Sequence, residues 1–183
     1  MTTATAIRAT SPPPYLGATL YACRGETMDY DTTREVLAAF EREGVVYAII
    51  GAVALNLHGL ARATQVLDIF IAPTEENVSR LRNALKSVFD DPDIDEIRAS
   101  DLLGDYPAVQ YVPPEGTFLV DILTRLGEAY SFSDLQTERT DFDGLEVTVV
   151  TPSMLHEMKR STVRPQDAAD ADRLKRRFDL EDD

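Results

Sequence analysis

The chain is poor in cysteine, because Cys23 is the single cysteine among its 183 residues. One cysteine has no partner for an intramolecular disulfide and lacks the paired spacing of a thiolate metal site. A reducing, cytoplasmic setting is therefore expected. A chain of this length can bury a sizeable core without disulfides or structural metals.

Long apolar runs are also missing. The longest, residues 45–57, covers 13 residues and is too short to cross a bilayer as a helix. The first residues include Arg8 but show no continuous apolar stretch followed by a small-residue cleavage site, so no signal peptide is evident. We expect a soluble protein with no membrane partner.

Positive charge is scarce as well: 18 Lys and Arg stand against 32 Asp and Glu, for a formal charge of -14. Such a surface repels nucleic acid at long range, although a local basic patch can still hold a phosphate. The sequence contains neither a P-loop nor a nucleophile elbow, which removes the support for a P-loop NTPase or a serine hydrolase.

Residues 1–27 contain Thr and Ala repeats and a Pro run without periodicity, and are predicted to form a loosely ordered extension. Residues 28–183 are predicted to form a single α/β (α+β) domain. Thr32 and Glu35 have the spacing of a capping box and Gly44 suits a C-terminal cap, so a helix is expected at about 32–43. Further helices are expected at about 52–60, after Thr74 and Thr151, and from Pro165. Strands are expected at 45–50, 66–71, 108–112, 117–123 and 145–150.

Two of these strands carry a carboxylate inside an apolar run. Asp68 and Asp121 each stand among leucine, isoleucine, valine and phenylalanine, where burial of a charge is costly unless a cation meets it. Because strand side chains alternate, residues 66 and 68 share a face. Two aspartates at these positions and a third from a neighbouring strand could hold magnesium, but Val66 stands at the first position. The Gly51-Ala52 turn leads into a helix, whose amides and dipole favour phosphate.

The spacing of these residues resembles the nucleotidyltransferase superfamily with the DNA polymerase β-like fold. Residues 50–69 match its pattern of an apolar residue and glycine, a spacer, and aspartate between apolar residues, with departures at Ala52 and Val66. The further residues that carry the resemblance are His58-Gly59, Arg62-x-Thr64, Asp121, Met158-Lys159 and Arg164-Pro165-x-Asp167. This ordered set looks most like the small bacterial branch that includes abortive-infection (AbiEii-type) nucleotidyltransferase toxins.

The resemblance implies a mixed sheet flanked by helices, with helices at the C-terminus, and an enzyme that uses Mg²⁺ or Mn²⁺. Asp68 and Asp121 would hold the metal, and Lys159 would act with them in catalysis. The implied contacts to a nucleoside triphosphate are Gly51, Ala52, Arg62, Thr64 and Arg164. The acceptor is left open, and the acidic charge argues against a large RNA acting alone, which leaves a small molecule, a protein or a tRNA end. A toxin-antitoxin or phage-defence role would add an antitoxin or regulatory protein as partner.

Several alternatives stay open at this point. Asp68 alone is about as compatible with a structural carboxylate, paired with Arg62 or a helix terminus, as with a metal ligand. The basic residues near the C-terminus alternate with aspartates, which favours a solvated helix face with ion pairs over an RNA-binding surface. Val66, whether natural or engineered, motivates a second hypothesis, a catalytically impaired homologue that acts as a binding or regulatory module. His58 and His156 lack metal-ligand spacing and are interpreted as ordinary structural or surface histidines.

Overall fold

The structure is a computed structural model that describes residues 29–104, 107–114 and 118–181. The predicted N-terminal extension lies outside these ranges. The α-helices are α1 (Tyr30–Glu43), α2 (Gly51–Leu57), α3 (Glu75–Val88), α4 (Ala99–Leu102), α5 (Pro152–Arg160) and α6 (Pro165–Phe178). The strands are β1 (Tyr47–Ile49), β2 (Val66–Ile71), β3 (Ala108–Tyr111), β4 (Leu119–Leu123), β5 (Arg125–Leu126), β6 (Tyr130–Ser131), β7 (Thr137–Phe142) and β8 (Leu145–Val150). Short 3₁₀ helices cover Pro92–Glu96 and Phe132–Asp134.

Six strands form one mixed sheet in the order β3-β4-β2-β1-β8-β7, while β5 and β6 form a separate two-stranded hairpin. β2 runs parallel to β4, and β1 runs parallel to β8. The pairs β1–β2, β3–β4 and β7–β8 are antiparallel. This mixed sheet flanked by helices is the predicted fold class, and β2 and β4, which carry the two aspartates, are neighbours within it.

The first helix starts two residues earlier than predicted, and a different residue caps it. Thr32 and Glu35 had the spacing of a capping box, but the N-cap is Asp29, whose carboxylate accepts a hydrogen bond from the Thr32 backbone N–H at 3.1 Å. Thr32 therefore lies inside the first turn of the helix. At the other end, the predicted cap is confirmed, since Gly44 adopts the left-handed conformation with φ 66°.

The central strand β2 and the last strand β8 have the predicted bounds, and Thr74 and Thr151 cap α3 and α5 as expected. The structure also contains the two-stranded hairpin and β7 within residues 124–144, for which the sequence predicted no strand. β7 lies at an edge of the sheet and most of its residues are exposed. A polar edge strand of this kind has no apolar alternation to predict it.

The core lies between the sheet and two packed helix pairs. α1 packs against α3, and α5 packs against α6. β1 and β2 contribute side chains that are buried on both faces, as expected for central strands of a covered sheet. Within the described ranges, no helix combines the length and apolar character required to cross a membrane.

Candidate active site on the central strands

Three polar side chains form a row across neighbouring strands. Asp68 of β2 is the register partner of Asp121 of β4, and Asp121 is also the register partner of Gln110 of β3. Residues directly opposite each other in a sheet point to the same face, so the three side chains share one surface. The Gln110 amide Nε2 donates a hydrogen bond of 2.7 Å to Asp121 Oδ1. We call Asp68, Asp121 and Gln110 the polar row.

Apolar residues border the polar row along each strand. On one side Phe70 is the register partner of Leu123, and on the other side Val66 is the register partner of Leu119. Val66 is buried. Its backbone N–H and carbonyl both bond to the Thr64 hydroxyl, at 3.0 and 3.1 Å. The position at which the resemblance expects a further carboxylate is therefore an apolar wall beside Asp68.

Gly51, the first residue of α2, lies directly against Asp68. It has φ +67°, and a Cβ added to it would lie 2.1 Å from Asp68 Oδ2. Both the backbone conformation and the close approach require glycine. The Ala52 backbone N–H donates a hydrogen bond to the Asp68 carboxylate. Of the two structural partners considered for Asp68, the helix terminus is thus present.

Burial and mutual repulsion make the carboxylates of the polar row reluctant to ionise. Burial, followed by the charge of Asp121, raises the pKa of Asp68 to about 7, against the opposing effects of Lys159, the Ala52 amide and Arg164. Burial also raises the pKa of Asp121, and the Gln110 hydrogen bond opposes that rise. Throughout the described part of the chain, no lysine, arginine or histidine forms an ion pair with either carboxylate.

A second set of charged residues connects the helices α5 and α6. Lys159 Nζ donates to Asp167 Oδ1 at 2.7 Å and to Asp170 Oδ2 at 3.2 Å. The remaining cations around these two aspartates are Arg62 at 3.3 Å and Arg173 at 3.5 Å from Asp170, and Arg164 at 3.9 Å from Asp167. We call this set, with Lys159, Asp167 and Asp170, the helix network. The helix network contains four cations and two aspartates, so its net charge is positive. The charges of Lys159 and Arg164 lower the pKa of Asp68.

The sequence-predicted site residues therefore fall into two groups. Asp68, Asp121, Gly51 and Ala52 meet at the polar row, whereas Lys159, Arg62 and Arg164 belong to the helix network. Arg62 pairs with Asp170 rather than with Asp68, which was the alternative partner considered from the sequence. The Asn56 side chain holds the Arg62 backbone at both its N–H and its carbonyl, at 2.7 and 2.9 Å. The Thr64 hydroxyl donates a hydrogen bond to the Val66 carbonyl oxygen at the start of β2.

The structural interpretation of the two histidines fits their surroundings. Both side chains are buried, with 5% of each exposed. His58 Nε2 lies 2.8 Å from the Val150 carbonyl oxygen, and the His58 ring contacts Phe178 edge to face. His156 lies on α5, with its Nδ1 3.7 Å from Glu157. Among the described residues, no three histidine, cysteine, aspartate or glutamate side chains gather as a metal cluster.

The donor chemistry of Asp68 and Asp121 nevertheless fits a magnesium ion that a nucleotide brings with it. Mg²⁺ prefers oxygen ligands and is commonly bound by one or two carboxylates together with substrate phosphates. The two carboxylates lie in register on adjacent strands, and the charge of Asp121 makes Asp68 harder to ionise. A divalent cation would relieve this repulsion. A site that needs three protein carboxylates does not fit, because Val66 has no donor.

Comparison with solved structures identifies the fold. The lincosamide antibiotic adenylyltransferase LnuA, in its lincomycin-bound crystal structure, is similar with a TM-score of 0.57 and 14% identity, over 82% of this chain and 98% of LnuA. A candidate nucleotidyltransferase from Thermotoga maritima has a TM-score of 0.51 and 12% identity, over 81% of this chain and 91% of that protein. An antigenic nucleotidyltransferase-like protein from Paracoccidioides brasiliensis has a TM-score of 0.51 and 16% identity, over 84% of this chain and 78% of that protein.

The chain therefore has the fold of the nucleotidyltransferases, as the resemblance implied. No protein-family model matches the chain, and a search of curated proteins gives no match. Placement in the AbiEii-type branch stays a prediction.

Sequence reasoning missed Gln110 and the partners of Lys159. Gln110 is a single exposed glutamine in a short strand, and its proximity to Asp121 follows from the β3–β4 register alone. Asp167 and Asp170 stand three residues apart on α6, at a spacing that places them on one helix face. That spacing, eight and eleven residues after Lys159, is the signal that could have indicated the helix network.

Proposed function

We propose that this protein binds a magnesium-nucleoside triphosphate and transfers a nucleoside monophosphate to an acceptor hydroxyl. The observation that carries the proposal is the in-register pair Asp68–Asp121, against which the Gly51 backbone is packed. The nucleotidyltransferase fold supports it. The predicted toxin-antitoxin role, with an antitoxin or regulatory protein as partner, and a cytoplasmic location belong to the same hypothesis.

The polar row explains how the chain could hold the reacting groups. Asp68 and Asp121 are the carboxylates available to a metal-bound triphosphate, and the turn at Gly51 lets the backbone approach without a side chain in between. When bound, Mg²⁺ would neutralise phosphate charge and polarise the phosphoryl group. Val66, which is buried, and its register partner Leu119 form an apolar border along one side of the pair.

The cations of the helix network have the charge to accept the phosphates. Lys159 has three N–H donors, and Asp167 and Asp170 accept two of them. Arg62, Thr64 and Arg164 are the further candidate contacts. In the transfer, the acceptor oxygen forms a bond to the α-phosphorus, the bond from that phosphorus to the bridging oxygen breaks, and pyrophosphate leaves. Asp121 helps to position and activate the acceptor hydroxyl, and accepts its proton as the new bond forms.

The acceptor is the least constrained part of the proposal. The net charge of -14 opposes long-range attraction of a large RNA and favours a small molecule, a protein or a locally held tRNA end. LnuA, whose structure contains lincomycin, is an example of this fold with a small-molecule ligand. We therefore rank small hydroxyl compounds first as acceptors to be tested.

Calorimetric titration of the protein with ATP, CTP, GTP and UTP, with Mg²⁺ and then with EDTA, tests nucleotide binding. We expect one nucleotide to bind in a Mg²⁺-dependent manner, and Asp68→Asn to weaken that binding at least tenfold. Asp172→Asn, an exposed carboxylate on α6, is the matched control and should bind as the parent does. Absence of binding in the parent and in Val66→Asp would rule the proposal out.

A second candidate function is a catalytically impaired homologue that binds a nucleotide for regulation. The apolar, buried Val66 favours it, because a two-metal arrangement would lose a bridging ligand there. Transfer of label from an α-labelled nucleotide separates the two candidates. Transfer by the parent that Asp68→Ala abolishes supports the enzyme, whereas transfer by Val66→Asp alone supports the impaired homologue.

A further inference from the structure

Gln110 is the member of the polar row that neither the sequence pattern nor the fold assigns to any role. It lies on β3, the edge strand next to β4, with Val109 and Tyr111 on either side of it buried and its own side chain on the opposite, exposed face. An exposed glutamine would ordinarily keep its rotamer freedom, because fixing a long side chain costs conformational entropy. Here its amide is fixed on Asp121 Oδ1 at 2.7 Å.

The hydrogen bond has a defined direction and a defined geometry. An ionised carboxylate only accepts hydrogen bonds, so the Gln110 amide nitrogen, and not its oxygen, faces Asp121. One carboxylate oxygen, Oδ1, is thereby held, and Oδ2 is left for a ligand. The register places Asp68 and Gln110 on opposite sides of Asp121, so the Gln110 amide contacts the Asp121 carboxylate from the side away from Asp68.

We infer that Gln110 is a positioning residue, which orients the Asp121 carboxylate for a divalent cation and for the acceptor hydroxyl. The inference rests on the proposed function. Groups that hydrogen-bond to a metal-binding carboxylate fix its orientation, and their loss typically lowers metal affinity or activity about 10- to 100-fold. Gln110 acts through Asp121 and does not itself touch the reacting atoms.

Binding of Mn²⁺ alone, measured by the paramagnetic resonance of free Mn²⁺ at pH 8, tests this role directly. We expect Gln110→Met, which keeps the length of the side chain but has no donor, to raise the Kd for Mn²⁺ about tenfold. Gln110→His presents a ring N–H at a similar distance from the backbone and should restore most of the affinity. Gln136→Met makes the same chemical change at an exposed position just before β7, at the opposite edge of the sheet, and should leave the Kd unchanged.

The unfolding midpoint in EDTA distinguishes positioning from a purely structural contribution. Gln110→Met and Gln136→Met should unfold at similar denaturant concentrations, because both side chains are exposed. If Gln110→Met binds Mn²⁺ within twofold of the parent while Asp121→Asn loses binding, the role of Gln110 is wrong and the proposed function stands. If the parent binds no Mn²⁺ either alone or in the presence of a nucleoside triphosphate, both are overturned. If His fails to restore the affinity lost in Met, the donor is not what Gln110 contributes.

Discussion

Two pairs of aspartates in this protein are held in opposite ways. Asp167 and Asp170, on α6, are surrounded by the cations of the helix network, and Lys159 donates to both of them. Asp68 and Asp121, on the central sheet, face each other, and their hydrogen bonds come from neutral amides, those of Ala52 and Gln110. Asp170 is buried and the other three aspartates are partly buried, so the clearest difference lies in their counter-charges.

The difference separates aspartates whose charges are already paired with cations from aspartates that are available to a cation. For carboxylates paired with lysine and arginine, the ion pairs offset part of the desolvation cost of burial. Carboxylates that repel each other raise the free energy of the folded state until a proton or a cation arrives. The helix network therefore explains how α5, α6 and the segment before β2 stay together, and the sheet pair is where a ligand has the most to stabilise.

The largest expected effect comes from removing the charge of Asp68. Its pKa is raised from 3.8 to about 7, so the folded state retains a proton that the unfolded state has lost between about pH 4 and pH 7. Stability should therefore fall as the pH rises through this window, by up to about 4 kcal/mol. Asp68→Asn should remove the part of this decline that Asp68 causes and be more stable than the parent at pH 8, with the difference shrinking toward pH 4.5. Urea unfolding in EDTA at several pH values measures it.

Asp172→Asn, an exposed α6 carboxylate, is the control, and its stability difference from the parent should vary little with pH. If Asp68→Asn were instead less stable than the parent at every pH, the carboxylate would be serving mainly as a cap for the Ala52 amide at the start of α2. The contrast between the two aspartate pairs would then fail.

A smaller effect is expected from Lys159→Met, which breaks the helix network. Lys159 is buried and bridges two aspartates, and removal of one partner of a buried ion pair costs about 3–5 kcal/mol. We expect the lower end, about 3 kcal/mol, because Arg62 and Arg173 still neutralise Asp170. The free energy of unfolding, measured by urea titration at pH 8, gives this loss.

Arg176→Met supplies the matched comparison for Lys159→Met. Its ion pair with Asp172 spans one turn of α6, and both side chains are exposed. An exposed pair of this kind contributes at most about 1 kcal/mol. Equal losses in the two variants would show that the helix network contributes no more than a surface ion pair, which would contradict its structural role.

The smallest effect sharpens the contact between Gly51 and Asp68. Gly51 and Gly59 both have positive φ, 67° and 77°, but a Cβ on Gly59 meets nothing within 4 Å. Gly51→Ala and Gly59→Ala therefore share the backbone cost, and their difference isolates the clash with the Asp68 carboxylate. We expect Gly51→Ala to be less stable than Gly59→Ala by about 2 kcal/mol, a typical cost of overpacking. Thermal unfolding of the two variants that shows no difference would mean that the Gly51–Asp68 contact is easily relaxed.

The parts of this fold that the sequence predicts well are those with apolar periodicity or a capping signal. β2 and β8 are continuous apolar strands with the predicted bounds, and Thr74 and Thr151 cap their helices through a hydroxyl followed by Glu or Pro. β7 was missed because a polar strand at the edge of a sheet has no buried face to pattern it. The predicted start of α1 was wrong because Asp29 and Thr32 are both good caps and only the structure ranks them.

In the candidate site too, the residues that the sequence predicts are those with an unusual local pattern. Asp68 and Asp121 stand out because a carboxylate in an apolar strand is unusual in any sequence, and the strand register then brings them together. Gln110 gives no such signal, since glutamine is ordinary in an edge strand and its contact depends on the pairing of β3 with β4. Ion-pair partners such as Asp170 for Arg62, 108 residues apart, follow from tertiary packing that local spacing does not encode.

The effect of Mg²⁺ on thermal unfolding at pH 8 tests the central claim, that Asp68 and Asp121 form a divalent cation site. The parent and the double variant Asp68→Asn/Asp121→Asn are compared, so that general screening of the -14 charge by Mg²⁺ cancels. At ten times the Kd, a cation bound to the folded state stabilises it by about 1.4 kcal/mol. We predict that Mg²⁺ raises the unfolding temperature of the parent by more degrees than it raises that of the double variant. Equal shifts in the two proteins would contradict the account.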